Sequence, residues 1–305
     1  MPKPTPPTHI RLLGSLCRLL PLMSGPGNIA NHPRFRKLSK GLQQPVWVKT
    51  RWQAHLKCRL DDYVGRSVAF FGDLDPKLSW VMKTVLRPGD TFVDVGANIG
   101  LLTTLGAQLV GPQGKVLAID PQPKILDDLR EAITTNNLSQ VTLAPVAVGE
   151  EETTLTLRVP VGNYGSASLR NQFERDFESY PVPVRIFRDL LLEHHCQTPR
   201  LVKLDVEGFE AEVIRGAGSL WQESPPPVVI FEFREPPSTR AENTDSGQLL
   251  ANLGYTFFRL PRNLFKPQLV SEDRAANLKV SHDIVAIHRS TSSEKLGFKA
   301  QQVMK

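Results

Sequence analysis

Acidic residues are missing from the start of this chain. Residues 1–60 contain eleven Lys and Arg residues and no Asp or Glu, whereas the rest of the 305 residues carry 26 bases against 31 acids. A basic segment on a mildly acidic body is typical of an arm that contacts an anionic partner, or of a leader that is simply solvated. The sequence therefore predicts a basic N-terminal arm over 1–60, with peripheral membrane contact and plain solvation as alternatives.

Cysteines and long apolar runs are also scarce. Cys17, Cys58 and Cys196 are far apart and form no C-x-x-C pair, which argues against a disulfide framework or a structural zinc site. Their pattern is typical of reduced thiols in a cytoplasmic enzyme. The leucine-rich stretch 10–20 is interrupted by Arg18 and is shorter than the roughly 20 residues of a membrane span. This stretch predicts either a weak interfacial helix or a helix packed on the body.

Beyond residue 61, apolar strands alternate with amphipathic helices. Strands are predicted at 91–95, 115–120, 141–149, 200–208, 228–233, 255–260 and 283–288, the last two as a hairpin. This alternation indicates a parallel sheet covered on both faces, a doubly wound α/β fold. Residues 150–188 form a short β/loop insertion, and an insertion of this size often covers a site. The tail 291–305 is polar and aperiodic, which predicts mobility.

The stretch TFVDVGANIG (91–100) places a glycine-rich turn directly after a strand. A dinucleotide-binding turn has the spacing G-x-G-x-x-G, whose second glycine lets a pyrophosphate approach the backbone. Here Asn98 stands between Gly96 and Gly100, so the phosphate cradle is incomplete. Asp94, at the strand end, would repel a pyrophosphate but suits the ammonium group of an amino acid.

A second carboxylate follows the next predicted strand. Asp120 lies twenty positions after Gly100, where an acid can bind both ribose hydroxyls. Acids at two successive strand ends favour S-adenosylmethionine (SAM), which has no phosphate and carries a positive sulfonium, over a nicotinamide dinucleotide. The predicted cofactor-binding residues are the two acids and the turn: Asp94, Gly96, Ala97, Asn98, Gly100 and Asp120.

The fourth predicted strand ends in a charged cluster. Lys203, Asp205 and Glu207 stand at i, i+2 and i+4, on one face if the strand stays extended. Neighbouring carboxylates raise each other's pKa, which suits a general base, while the lysine opposes that shift. The cluster predicts catalytic residues, with an internal salt-bridge cluster as the alternative, and Glu232 is a further candidate for the same pocket. Mg²⁺ would need further oxygen ligands that the sequence does not place, so no metal is predicted.

Four segments resemble the FkbM family of SAM-dependent methyltransferases: TFVDVGANIG, VLAIDPQP, VAVG and LVKLDVEGFEAEVIRGA. The resemblance extends from about Asp61 to His288, and K-x-D-V-E-G is its most specific block. It implies a class I methyltransferase (Rossmann-like) sheet of seven strands, the last antiparallel, in a domain at 61–290. It also implies methyl transfer from SAM to a hydroxyl of a sugar, glycan or secondary metabolite. The loop GNYGSASL resembles the family's serine-rich substrate segment, whereas Asp120 departs from the Glu that is common there.

Two other functions fit parts of the sequence. An RNA methyltransferase would use the basic arm, but a nucleic-acid channel should itself be basic and the body is acidic, so a nucleic-acid partner is disfavoured. A noncatalytic SAM-binding protein would tolerate loss of the cluster at 203–207, whose presence argues against that class. The leading prediction is therefore an enzyme with a small-molecule or glycan hydroxyl acceptor.

Overall fold

The structure, a computed structural model, describes residues 3–42, 44–170, 176–236, 239–275 and 278–304. The α-helices are α1 (Thr8–Leu19), α2 (Pro26–Ala30), α3 (Pro33–Leu38), α4 (Tyr63–Phe71), α5 (Pro76–Val85), α6 (Leu101–Val110), α7 (Pro123–Thr135), α8 (Phe187–Glu193), α9 (Glu210–Ala217), α10 (Ser219–Glu223), α11 (Asp245–Asn252) and α12 (Glu272–Ala275). The strands are β1 (Val46–Lys49), β2 (His55–Cys58), β3 (Thr91–Val95), β4 (Lys115–Ile119), β5 (Val141–Ala144), β6 (Ala147–Gly149), β7 (Thr153–Pro160), β8 (Phe177–Ile186), β9 (Leu201–Leu204), β10 (Val228–Glu232), β11 (Tyr255–Pro261), β12 (Leu269–Ser271), β13 (Val280–His288) and β14 (Val303–Met304).

One large mixed sheet organises the body, with the strand order β14-β12-β11-β13-β10-β9-β3-β4-β5. Strands β5, β4, β3, β9 and β10 are mutually parallel, and β13 runs antiparallel between β10 and β11. Without the edge strands β12 and β14, seven strands remain, and numbered along the chain their order is 3-2-1-4-5-7-6. The doubly wound prediction is confirmed, although the sheet has nine strands and not seven.

The central strands are buried because their sequences are nearly continuous apolar runs. In β3, β4, β9 and β10 almost every side chain is buried, as expected for parallel strands with both faces covered. Separate hydrophobic clusters pack on the two faces, one around Trp221 and the other around Phe92. The strand order reverses between β3 and β9, so a ligand crevice is expected at the carboxyl ends of these two strands.

The prediction of a single strand over 141–149 is wrong. Pro145, which has no N–H to donate, separates β5 in the large sheet from β6, which pairs with β8 in the small sheet β6-β8-β7. Strands β7 and β8 of this small sheet and the 3-10 helix Tyr164–Ser166 lie in the predicted insertion 150–188, of which residues 171–175 lie outside the described residues. The two strands predicted near the C-terminus do pair in antiparallel fashion, as β11 and β13, but β12 and α12 lie between them in the chain, so they do not form the predicted hairpin.

The basic leader packs on the body through α1. This helix buries Ile10, Gly14 and Cys17 in a cluster shared with α4. A Cβ on Gly14 would lie 2.8 Å from the carbonyl oxygen of Ala69, so the two helices are in close contact. In the described part of the chain, no helix is both long and apolar enough to cross a membrane. The domain boundary at residue 60 stays a prediction.

The tail also contacts the body in this structure. Leu296 and Phe298 are buried, and the ring centroids of Phe298 and Trp80 are 5.4 Å apart in an edge-on contact. Strand β14 pairs in parallel with β12. The mobility expected for 291–305 stays a prediction.

Candidate active site

A cavity of about 390 Å³ lies at the carboxyl ends of β3, β4 and β9. It brings together most of the residues that the sequence analysis selected: Gly96, Ala97, Asn98, Asp120, Lys203, Asp205 and Glu207. Glu232 lines the same cavity, as anticipated. Asp94 and Gly100 are buried and do not line it.

The glycine turn begins where β3 ends. Gly96 has a φ of +80°, and a Cβ there would lie 1.9 Å from the carbonyl oxygen of Asp205, so only glycine fits at this approach. Asn98 has a left-handed φ of +51°, which asparagine tolerates better than most residues. The Asn98 N–H donates to Asp120 Oδ2 at 2.8 Å, so the turn is bound to the end of β4. Gly100 precedes α6 as its N-cap residue.

Asp120 is the carboxylate best placed to bind a cofactor. It is 5% exposed and accepts hydrogen bonds from the N–H groups of Asn98 and Gln122 at 2.8 and 2.9 Å. Burial raises the pKa of Asp120 to about 6, although these two hydrogen bonds lower it. The group is therefore mostly ionised at neutral pH and can accept from ribose hydroxyls.

Gln122 is a cavity residue that the sequence analysis missed. Its Nε2 donates to the carbonyl of Tyr164 at 2.9 Å, while its Oε1 is buried without a hydrogen-bond partner among the described residues. An orphaned acceptor and an ionised acid in one cavity fit a ligand with amino and hydroxyl donors, as SAM has. The only signal in the sequence is its position two residues after Asp120.

Asp94 contacts a lysine in this structure. The carboxyl group is fully buried; its Oδ2 accepts from Thr103 Oγ1 at 2.6 Å, and its Oδ1 lies 3.4 Å from Lys203 Nζ. Burial raises the pKa of Asp94, and the ammonium of Lys203 opposes that rise. The predicted contact between Asp94 and the cofactor's ammonium stays a prediction.

Lys203 joins the ends of β3 and β9. Its Nζ donates to the carbonyl of Gly96 at 2.7 Å and lies 3.3 Å from Asp205 Oδ2. Although burial lowers the pKa of Lys203, the charges of Asp205 and Asp94 raise it well above its ordinary value. Lys203 is therefore a cation that positions Asp205, and it is not a proton acceptor.

Three carboxylates converge where β9 and β10 end; we call Asp205, Glu207 and Glu232 the acid cluster. One oxygen of each lies within 4.8 Å of the others. Arg234 pairs with Glu207 and, through Nε at 2.8 Å, with Glu232. The side chain of Asp205 is 43% exposed and that of Glu207 is 9% exposed. Asp205 is thus the carboxylate most open to a bound acceptor.

The arrangement on one extended strand that the sequence suggested is not observed, because β9 ends at Leu204. Glu207 has a left-handed φ of +56°, a conformation that non-glycine residues rarely adopt. Glu210 Oε1 accepts from two N–H groups of this turn at 3.2 Å each, and Ser168 Oγ donates to the carbonyl of Glu207 at 2.8 Å. A braced turn therefore presents the acid cluster.

Glu232 is the member of the acid cluster at the end of β10, and its side chain is 18% exposed. Burial raises the pKa of Glu232, and the charges of Asp205 and Glu210 add to that rise, while the contact with Arg234 opposes it. Because it is also paired with Arg234, Glu232 is less accessible to a bound acceptor than Asp205, whose side chain is 43% exposed. Asp205 is therefore the leading candidate for the base. Since three acids could also surround a cation, the absence of a metal requirement stays a prediction.

The insertion covers the cavity. The segment GNYGSASL (162–169) contributes several lining residues, and its Tyr164 N–H donates to Asp62 Oδ1 at 2.9 Å. Asp62 also caps α4 through its Oδ2. With the bond from Gln122 to the Tyr164 carbonyl and the bond from Ser168 to the Glu207 carbonyl, the cover is attached to α4, to the end of β4 and to the turn after β9.

The strand order, the glycine turn after β3 and the acid after β4 together define the domain of a class I, SAM-dependent methyltransferase. A family model described as the methyltransferase FkbM domain matches residues 94–257. The chain belongs to the FkbM methyltransferase family, and the resemblance seen in the sequence is confirmed.

Two curated relatives carry methyltransferase names and match in part. "Methyltransferase 1" of Beauveria bassiana is 30% identical over 148 residues, which cover 42% of this chain and 59% of that protein. An arsenite methyltransferase of Halobacterium salinarum is 36% identical over 56 residues, covering 18% of this chain and 14% of that protein. The chain thus matches less than two thirds of the length of either relative.

Solved methyltransferase structures match this chain with low TM-scores and low sequence identity. A SAM-dependent O-methyltransferase from Thermotoga maritima has a TM-score of 0.37 at 16% identity, with 70% of this chain and 65% of that chain covered. An O-methyltransferase from Bacillus cereus in complex with SAH has a TM-score of 0.37 at 14% identity, with coverages of 70% and 78%. The fold class follows from the strand order and not from these scores.

Proposed function

We propose that this protein is a SAM-dependent O-methyltransferase whose acceptor is a hydroxyl of a sugar, glycan or secondary metabolite. The observation that carries the proposal is Asp205, a half-exposed carboxylate in the same cavity as the glycine turn and 3.3 Å from a lysine that orients it. A neutral hydroxyl is a poor nucleophile, so this acceptor class benefits from a positioned base. The acid cluster would repel a phosphodiester, which supports such an acceptor over RNA.

The glycine turn and Asp120 would hold the cofactor. Asp120 would accept from the ribose hydroxyls, and Gln122 Oε1 would accept from an amino or hydroxyl donor of the cofactor. When bound, SAM supplies a methyl group that its positive sulfonium already activates. Holding the acceptor oxygen next to that group can supply about 7–11 kcal/mol of the barrier.

Asp205 is the proposed general base. The proton of the acceptor hydroxyl would pass to Oδ1, since Oδ2 faces Lys203. Glu207 is paired with Arg234 and is assigned a positioning role. Because proximity contributes more than proton removal, loss of the base should slow methyl transfer without abolishing it.

The variant Asp205→Asn tests this assignment once an acceptor is known. Untargeted mass spectrometry of methylated products, with and without the gene, identifies that acceptor. Single-turnover methyl transfer by Asp205→Asn should be slower by about 10²–10⁴-fold, with SAM affinity close to that of the wild type. Asp127→Asn, at a position whose side chain is 83% exposed, is the control and should transfer at the wild-type rate.

An unchanged rate in Asp205→Asn would remove Asp205 from this role. The same measurement on Glu207→Gln would then decide whether the second carboxylate is the base. If both variants transfer methyl groups normally, the cluster at 203–207 is a structural salt-bridge cluster.

A further inference from the structure

Helix α1 has two apolar faces, of which only one is buried. The inner face has the spacing i, i+4, i+7 and packs on the body: Ile10, Gly14 and Cys17. The outer face has the same spacing and is 64%, 62% and 78% exposed: Leu12, Leu16 and Leu19. Three exposed leucines on one helical stripe form a continuous apolar surface.

The outer leucines cannot be buried by rotation of the helix. Gly14 lies so close to the Ala69 carbonyl that a side chain does not fit there. The guanidinium of Arg18 donates to the carbonyls of Lys49, Val68 and Ala69 at 2.6, 3.0 and 3.1 Å. Rotation would break these three bonds and bring a larger side chain against α4. The packing of α1 on α4 therefore fixes the outer leucines in an exposed orientation.

More exposed apolar side chains lie beside the end of α1. Leu20 is 49% exposed, and three residues later the N–H of Met23 donates to the carbonyl of Leu264 at 2.7 Å. Leu264 and Phe265 are 53% and 63% exposed. We call this surface the outer apolar patch: Leu12, Leu16, Leu19, Leu20, Leu264 and Phe265.

Unpaired positive charge accompanies the patch. In the described ranges no Lys or Arg before Lys57 forms an ion pair. Several of these bases are exposed on α1 and on α3 and the residues after it: Arg11, Arg34, Arg36, Lys37 and Lys40. His9 Nε2 lies 3.3 Å from the Leu38 carbonyl, so the basic α3 lies beside α1.

We propose that the outer apolar patch docks on an anionic phospholipid surface. The leucines and Phe265 would enter the boundary between headgroups and acyl chains, and the bases of α1 and α3 would contact anionic headgroups. The charge complementarity selects an anionic partner. The aliphatic surface selects lipid, because single-stranded nucleic acid is bound by aromatic stacking.

Co-sedimentation with vesicles tests the proposal on the full chain. Vesicles of equal parts phosphatidylserine and phosphatidylcholine should bind the wild-type protein, and added salt should weaken that binding. The double variant Leu16→Glu/Leu19→Glu should bind at least about tenfold more weakly, since it removes two inserting side chains and adds repulsive charge. Leu192→Glu, at a position that is 44% exposed on α8, is the matched control and should bind like the wild type. SAM affinity and melting temperature should be unchanged in both variants.

Two results would overturn the proposal. One is equal vesicle binding by Leu16→Glu/Leu19→Glu and the wild type. The other is a wild-type protein that does not sediment with these vesicles. If light scattering then shows a dimer that the double variant separates, the patch is covered by a second copy of the chain.

Discussion

Asp120 combines deep burial with two backbone hydrogen bonds, and its pKa of about 6 gives cofactor binding a dependence on pH. The ionised group accepts from ribose hydroxyls, whereas the protonated group loses part of that capacity. The pKa is raised above its ordinary value, so the useful ionised form is present above pH 6 and is lost as pH falls through that value.

We therefore expect SAM affinity to fall by up to about tenfold for each pH unit below the pKa of Asp120. Calorimetry across this range measures the slope. Asp120→Asn should bind more weakly at every pH and should show a flatter profile. Asp73 is the control, because burial also raises its pKa to about 6, but its Oδ2 accepts from Ser79 Oγ at 2.8 Å and it does not line the cavity. Asp73→Asn should retain the wild-type slope; if its profile flattens too, Asp120 is not the controlling group.

At the scale of elements, the site depends on how closely two turns approach. The turn after β3 and the turn after β9 meet at Gly96 and the Asp205 carbonyl. Lys203 also connects these two turns. Its Nζ donates to the Gly96 carbonyl and lies 3.3 Å from the Asp205 carboxylate. The distance between the glycine turn, which would hold the cofactor, and Asp205, the proposed base, is thus fixed by this backbone contact.

Gly96→Ala should disturb both turns. We expect a loss of about 2–5 kcal/mol in the free energy of unfolding, from left-handed strain and from overlap with the Asp205 carbonyl. Gly89→Ala is the matched control: Gly89 has a φ of +88°, and nothing lies within 4 Å of the position that a Cβ would take there. That variant should lose only about 1–2 kcal/mol from strain. Urea unfolding measures both, and equal losses would show that the close approach is unimportant.

The elements that the sequence predicted best are those whose pattern is local. The sequence directly indicates the glycine turn and the apolar runs of β3, β4, β9 and β10. The break at Pro145 between β5 and β6 is also signalled locally, by the proline, but the strand prediction ran through it. The ion pair of Asp94 with Lys203 joins residues on different strands, and only the pairing of β3 with β9 reveals it. Gln122 and Arg234 have no motif of their own, so their places in the cavity follow from tertiary packing.

At the scale of the whole molecule, the leader and the body share one hydrophobic cluster. Ile10 is completely buried in it, together with Phe70 of α4 and Ile99 of the glycine turn. A segment that supplies core residues should unfold with the body and not separately from it. The boundary at residue 60 stays a prediction, and whether it is also a boundary in folding can be measured.

Ile10→Ala should lower the free energy of unfolding by about 2–5 kcal/mol, since it leaves a cavity in this cluster. Leu12→Ala, two residues away in the same helix and 64% exposed in the wild type, should change it by less than about 0.5 kcal/mol. Both are measured by urea unfolding, followed by tryptophan fluorescence. A separate early transition in Ile10→Ala, with the main transition unmoved, would mean that the leader is an independent unit.

The backbone contact between Gly96 and Asp205 also bears on how this protein can diversify. A larger residue at Gly96 fits only if the turn after β9 moves away. A substitution in one turn therefore requires a compensating change in the other. The cover at 162–169 is held by side-chain hydrogen bonds to Asp62, Gln122 and the Glu207 carbonyl, and these can be replaced one at a time. We expect relatives that methylate other acceptors to differ first in this cover and to keep the contact between Gly96 and the Asp205 carbonyl.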